Sequence, residues 1–390
     1  MTDTKKTKSF TSAMTGAPVL SGTAGALIAV LDAVLVNGFG LGTLTSLVVS
    51  GNVATATYGA GHPFAVGSVA LIAGATPAGL NGEQRILSTA ANTVTFATTG
   101  ISDQTATGTI TSKVASAGWT KLYTGTNLAA YKITSVMGTG CVLKVDDTGT
   151  TVARVRGYEA MSDISTGTGP FPTVAQIAAP GLWWSKSNAA SAAARPWRIV
   201  ADDRGVYFFP KNADTSSEHQ GNYFGDILPI KSNDPYACVL RANSADRSAS
   251  VTALSDSLEY ADSSSSAGGA YVARAANTLG GAVPSFQDPV MSVGLALLHV
   301  TGSVGWTYPS PVDNGLLLTP VCLYSAQGYR GYFPGLRFSP QITNTAFSTG
   351  DVVAGSGDMA GKSVTVIKCG TPAAGAGQGV VFMDQNSDWR

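Results

Sequence analysis

The chain has 390 residues, enough for two or three domains. Hydrophobic residues make up 44% of it, normal for a chain that buries a core, but the charged fraction of 12% is about half the roughly 25% of ordinary soluble domains. Lys plus Arg and Asp plus Glu each number 24, so no overall field draws the chain to nucleic acid or to an anionic membrane.

Residues 1–19 read as a flexible leader whose Lys5-Lys6-Thr7-Lys8 is a short basic tail, with no apolar stretch behind it to make a secretion signal. The most apolar run, Ala24 to Val36, is too short to span a bilayer and carries Asp32. Leu27, Val30, Leu31 and Val34 fall at helical spacing and predict a buried helix, started by a Ser or Thr cap from Ser21-Gly22-Thr23 and ended by Asn37-Gly38.

From Gly42 to Ser112 only Glu83, Arg85 and Asp103 are charged, and Thr, Val, Ala and Gly dominate. Leu47 to Val49 and Val53 to Tyr58 flank the turn Ser50-Gly51-Asn52 and read as a hairpin. Further short strands follow at Val66–Ala73, Arg85–Ser88, Asn92–Ala97 and Thr107–Ser112. The pattern predicts a small all-β module over 42–113, immunoglobulin-like or a barrel.

Beyond Trp119 aromatic and charged residues become commoner. Cys141–Val145 and Thr151–Arg156 alternate at period two around Asp146-Asp147-Thr148-Gly149, and Trp197–Val200 and Val206–Phe209 flank Asp202-Asp203-Arg204-Gly205. Each Asp-rich tetrad predicts a hairpin turn. Residues 243–285, rich in Ser, Ala and Gly, read as a surface excursion, and Lys362–Lys368 with Gly379–Met383 as a last hairpin.

None of the chemical motifs reads as a catalytic, cofactor or metal site. Asp147-Thr148-Gly149 matches the pepsin-like triplet, but such enzymes need two carboxylates sharing a proton, and the triplet occurs once, in a turn. Gly355 to Ser363 approximates a phosphate-binding loop, yet Ser356 stands where its first Gly must be and Asp358 would repel a phosphate. His62, His219 and His299 have no acidic or Cys neighbour at ligand spacing and read as structural. No G-x-S-x-G elbow occurs, and no acidic pair is singled out for glycoside hydrolysis. Trp183-Trp184 and the group Tyr324, Tyr329, Tyr332 and Phe333 suit core or subunit packing, with a sugar groove as the alternative. Cys141, Cys238, Cys322 and Cys369 are far apart and read as buried free thiols.

Several strings taken together resemble a known family. They include Leu31-Asp32-Ala33-Val34-Leu35-Val36-Asn37-Gly38-Phe39-Gly40, Gly118-Trp119-Thr120-Lys121, Gly125-Thr126-Asn127, Val145-Asp146-Asp147-Thr148-Gly149, Gly157-Tyr158-Glu159-Ala160-Met161 and Gly167-Thr168-Gly169-Pro170-Phe171-Pro172. Phe224-Gly225-Asp226-Ile227, Tyr236-Ala237-Cys238, Ser310 to Leu318 and Pro334-Gly335-Leu336 extend the likeness over most of residues 20–390. They are similar to virion structural proteins encoded among the tail genes of double-stranded DNA phages. Residues 42–113 interrupt that pattern and resemble the small β-modules inserted into phage tail proteins, through Gly61-His62-Pro63-Phe64, Gly74-Ala75-Thr76-Pro77 and Asn81-Gly82.

The expectation is a mainly β protein with few helices, its β-sandwich-like core formed by 20–41 and 114–390 in one or two subdomains, with the 42–113 module projecting. The resemblance implies a non-enzymatic structural subunit of a tail tip or baseplate, assembled in the host cytoplasm into the virion. Its partners would be copies of itself and other virion proteins, with no nucleic acid, membrane span or cofactor. The alternatives are an adhesin that binds a host receptor or glycan, a head or capsid-surface protein and, more remotely, a virion-associated hydrolase.

Overall fold

A computed structural model of the chain describes residues 7–213, 218–242, 258, 269–289, 305–355, 359–370, 378–385 and 388–390. The described residues form three antiparallel sheets of thirteen, six and seven strands, with little helix. The protein is mainly β.

The seven-stranded sheet is built from Phe39 to Val114, and its pairings close it into a barrel. Strand Phe39–Ser50 pairs along its first half with Thr111–Val114 and along its second half with Val53–Tyr58. From Val53–Tyr58 the pairing runs through Thr93–Ala97, Gly82–Thr89 and Val69–Ala73 back to Thr111–Val114, so six strands form a ring. The alternatives left open by the short strands are thus decided for a barrel over an immunoglobulin-like sandwich. Register shifts in both pairings of Phe39–Ser50 let this one strand bend enough to serve two neighbours. Residues at period two fill the interior, and several are small: Ala54, Ala56 and Ala70 are fully buried beside Leu47, Val94 and Phe96. The chain enters and leaves at paired residues, Phe39 and Val114.

The six-stranded sheet and the thirteen-stranded sheet pack face to face. One continuous apolar cluster joins Tyr131, Leu143, Val145, Val155 and Trp184 of the former to Phe10, Ile199, Val206, Phe208 and Leu240 of the latter. Trp184 lies 5.6 Å from Phe208, and Phe171 stacks on Phe224 at 6.0 Å. The other face of the same long-sheet strands presents Val200, Tyr207, Phe209, Tyr223 and Val239 to a second cluster, completed by Leu323, Phe333, Leu336, Ile367 and Met383 from the far half of that sheet. The long sheet therefore folds over itself, and its strands Trp197–Ala201, Gly205–Pro210, Asn222–Asp226 and Cys238–Arg241 form a central layer buried on both sides. That is why Gly205–Pro210 is buried at every position, a near-continuous apolar strand with no polar face.

Several sequence expectations change here. Residues 7–19 are not a flexible leader: Lys8–Thr11 pairs with Trp197–Ala201 and buries Phe10 completely. Lys8, itself buried, forms an ion pair of 2.6 Å with Glu83 of the barrel, and Arg85 donates to the Thr7 carbonyl at 3.1 Å. The barrel therefore packs on the core, and its buried residues belong to the same cluster as the helix. The helix occupies Ala26–Leu31 and continues as a wider π-turn segment over Asp32–Asn37. Within 243–285, Ala270–Val272 and Val283–Pro289 are interior strands of the long sheet, since Tyr271 and its neighbours alternate between the two apolar clusters. The Ser263 to Ser266 run lies outside the described residues. The three hairpins expected at 141–156, 197–209 and 362–383 are present.

All four cysteines are buried and none is in a disulfide, and the Cys141 thiol lies beside that of Cys238. Burial pushes the Cys238 thiol well above the usual thiol range, which suppresses the reactive thiolate. A thiol reagent should accordingly label none of the four in the native protein and all four in denaturant without reductant. Recovery of only two would show that Cys141 and Cys238 are oxidised to each other.

Candidate functional site

The ionisable residues that the chain places in its interior are tied to one another and to backbone groups, and the clearest case is the pepsin-like triplet. Asp147 is not the turn-forming residue. Asp146 accepts from the Thr148 amide at 3.1 Å and from its hydroxyl at 2.7 Å, which bends the chain. Asp147 points inward, fully buried, and accepts from the Leu27 and Ile28 amides at 2.7 and 3.1 Å. It thereby supplies the cap expected from Ser21 or Thr23, because the helix begins at left-handed Gly25 without a local side-chain cap. Its other oxygen accepts from the fully buried Lys186 ammonium, which also donates to the Thr23 carbonyl at 2.6 Å. Burial pushes the Asp147 carboxyl up, against the pull of Lys186 and the two helix amides. With no second carboxylate and a lysine in contact, the triplet joins a helix start to the six-stranded sheet and offers no shared proton.

Two adjoining clefts, of about 230 and 280 Å³, share Met137 and Arg204 and lie over the turn that follows Trp197–Ala201. Five carboxylates line them, Asp202, Asp203, Asp226, Asp234 and Asp388, and two are tied as follows. Asp226 accepts from the Thr139 amide at 3.0 Å, the Thr139 hydroxyl at 2.6 Å and Arg204 Nε at 2.9 Å. Asp202 accepts from the Arg204 amide at 2.9 Å and Arg390 Nε at 3.0 Å. Arg390 also donates to the Asp226 carbonyl at 2.8 Å, and the adjacent Trp389 packs edge-on against Tyr207 at 5.4 Å. A general acid–base pair needs a carboxylate free to face a substrate. Asp202, Asp226 and Asp234, the last paired with Arg330 at 2.8 Å, are held by guanidinium groups, so the arrangement clamps turn, loop and C-terminal residues together.

The remaining sequence candidates separate. His62 donates from Nε2 to the Ala90 carbonyl at 2.7 Å and stacks near Phe64, in a turn of the barrel. His219 is buried between Lys211 and Cys369 with its Nδ1 unpartnered. His299 lies outside the described residues. Gly355 and Lys362 are joined by a backbone hydrogen bond of 2.8 Å at the mouth of strand Ser363–Gly370, and 356–358 lie outside the described residues. Trp184 is core, whereas the Arg154 guanidinium stacks on Trp183 at 3.6 Å. Phe333 is core as well, but Tyr329 is 70% exposed and forms a surface pair with Tyr324 at 6.0 Å. Among the described residues no group of three or more His, Cys, Asp or Glu is placed to hold a metal ion, and no helix is long and apolar enough to cross a membrane.

Sequence reasoning missed Arg198, Asp226 and Arg390. The available signal was a lone charge in or beside an apolar strand of a chain that uses few charges. Comparison with protein-family models and with curated proteins finds no match to this chain.

Two outcomes follow from these contacts. Asp147→Asn leaves the Lys186 ammonium buried without a counter-charge and should cost about 3–5 kcal/mol in denaturant unfolding, while adding Lys186→Met should recover much of the loss. An Asp147→Asn protein as stable as the parent would return Asp147 to a mere turn role.

Burial, with the like charges of Arg198 and Lys211 nearby, depresses the His219 pKa to about 3. The unfolded chain takes up this proton near the ordinary value of 6.5, so the stabilising effect of neutral His219 is complete above that pH. It is lost as pH falls from 6.5 toward 3. The residue should make the protein about 2 kcal/mol less stable at pH 5 than at pH 7. In the His219→Gln variant that part of the pH dependence should vanish, as read from denaturant midpoints at the two pH values.

Proposed function

We propose that this chain is a structural, non-enzymatic subunit of a bacteriophage particle, a tail-tip or baseplate component that works by oligomeric assembly with itself and other virion proteins. The observation that carries this reading is the state of the interior charges. Asp147, Asp202 and Asp226 each hold a cationic partner and backbone donors, and none is left to act on a substrate. The charge-poor surface supports it, because exposed apolar side chains can be buried against neighbours at little desolvation cost. Such residues occur on the barrel (Leu41, Val66, Leu87), in the loop beside the two clefts (Val136, Met137) and around Trp306 and Val312. The sequence resemblance of residues 20–390 to tail-gene virion proteins supports a place in the tail, and a position on the head or capsid surface is the nearest variant.

A second reading is favoured by one specific feature. The Tyr324–Tyr329 pair, with Phe286 at 5.6 Å from Tyr324, makes an aromatic surface of the kind that sugar rings stack on. In that reading the chain is the virion's receptor- or glycan-binding adhesin.

Quantitative mass spectrometry of purified, salt-washed phage particles should find the chain in stoichiometric amounts in the tail fraction. Its absence from particles would overturn both readings, and recovery with tail-less heads would move it to the capsid surface. A Tyr329→Ala change that abolishes host attachment without altering particle composition would favour the adhesin.

A further inference from the structure

The two ends of the thirteen-stranded sheet meet at one place. Its first strand, Lys8–Thr11, and its last, Val352–Ala354, are each paired on one side only among the described residues. The register shows where their free peptide groups point. Ser12 donates to the Trp197 carbonyl at 3.0 Å, so Phe10 and Lys8, at steps of two, face the neighbouring strand; Ser9 turns its N–H and C=O and Thr11 its N–H to the open side, the Thr11 carbonyl accepting from the Met14 amide at 3.1 Å. Gly355 donates to the Lys362 carbonyl at 2.8 Å, so Val353 faces inward and Val352 and Ala354 face outward. Ser9, Thr11 and Val352 all line a single cleft of about 140 Å³.

The cleft also holds a charge without a counter-charge. Arg198, half-buried on the strand beside Lys8–Thr11, lines it, and no carboxylate is among its lining residues. Among the described residues the Arg198 guanidinium donates no hydrogen bond and forms no ion pair, unlike those of Arg204, Arg274 and Arg390, which meet carboxylates, and Arg156, which meets carbonyls. Burial without compensation pushes its pKa down. Gly350, at φ +103°, keeps the approach open: a Cβ there would sit 3.0 Å from Arg198 Nη2. Unpaired strand edges and a desolvated guanidinium are each costly features that a bound partner would satisfy together.

We propose that this cleft is a strand-addition site. It takes an extended segment of another subunit, whose backbone pairs with the N–H and C=O of Ser9 and the N–H of Thr11 and whose Asp or Glu side chain forms an ion pair with Arg198. The subunit origin of the segment rests on the assembly reading above; the recognition chemistry does not.

The test uses the purified full chain and two blocked pentapeptides of alternating threonine and valine, one with a central aspartate and one with asparagine in its place, titrated calorimetrically. The aspartate peptide should bind at least tenfold more tightly. Arg198→Gln should remove that preference, and Ser9→Pro, which deletes an outward N–H at a sheet edge, should weaken both peptides at least tenfold. Thermal melts of the variants check that they remain folded, and Arg198→Lys, which keeps the charge, should retain part of the preference. Equal binding of the two peptides, no binding, or a preference that survives Arg198→Gln would overturn the site. Binding of acetate alone with no peptide binding would reduce it to an anion pocket and overturn strand addition. A chain that is missing from particles yet selects the aspartate peptide would sink the assembly reading and leave the cleft chemistry standing.

Discussion

The fold depends on four adjoining strands, Trp197–Ala201, Gly205–Pro210, Asn222–Asp226 and Cys238–Arg241, that are apolar on both faces. Their odd and even residues enter different apolar clusters, one shared with the six-stranded sheet and the helix, the other with the returning half of their own sheet. Each large side chain buried this way contributes roughly 1.5–3 kcal/mol, and the aromatic contacts of Trp184 with Phe208 and of Tyr223 with Phe333 set the spacing of the layers. A strand of this kind has no solvent face to fall back on. The outer layers must therefore be present for the central one to exist, which couples both halves of the chain into one structure.

Charge plays the complementary part. A chain with so few ionisable residues places several of them where water is scarce, and there they act as ties between segments distant in sequence. Asp147 and Lys186 bind the helix start to the six-stranded sheet, Lys8 and Glu83 bind the first strand to the barrel, and Asp202 and Arg390 bind a hairpin turn to the C-terminal residues. Buried pairs of this kind add little net stability compared with apolar residues of the same size. Breaking one is costly, however, and wrong packings of the same segments leave a charge unpaired. Their effect is to select one arrangement of sheets that are otherwise held by non-directional burial. Arg198 departs from this pattern, and for that reason it carries more meaning than the satisfied pairs around it.

The barrel and the long sheet solve the edge problem differently. The barrel joins Phe39–Ser50 to neighbours on both sides and leaves its ring without a free edge. The long sheet curls without closing, and its two terminal strands come to the same cleft beside the barrel loop Ala65–Ser68. In the strand addition proposed above, this opening would be used through directional backbone hydrogen bonds, a stronger basis for geometry than apolar contact alone.

The sequence by itself determined the features that depend on residues close together in the chain. The β-rich class followed from short alternating strands, and the hairpins around Asp146–Gly149 and Asp202–Gly205 followed from turn chemistry that needs only a few neighbouring residues. The helix near Leu27–Val34 followed from its spacing. Tertiary structure alone decided the rest, because the partners are far away. The helix is capped by Asp147, 120 residues later, and no local pattern could distinguish that carboxylate from its neighbour Asp146. The leader became a strand only because Trp197–Ala201 offered Phe10 a buried place. Barrel and sandwich share the same strand pattern, and only the double pairing of Phe39–Ser50 separates them. Arg198 lacks a counter-charge only in three dimensions, since a sequence records which charges exist and not which of them meet.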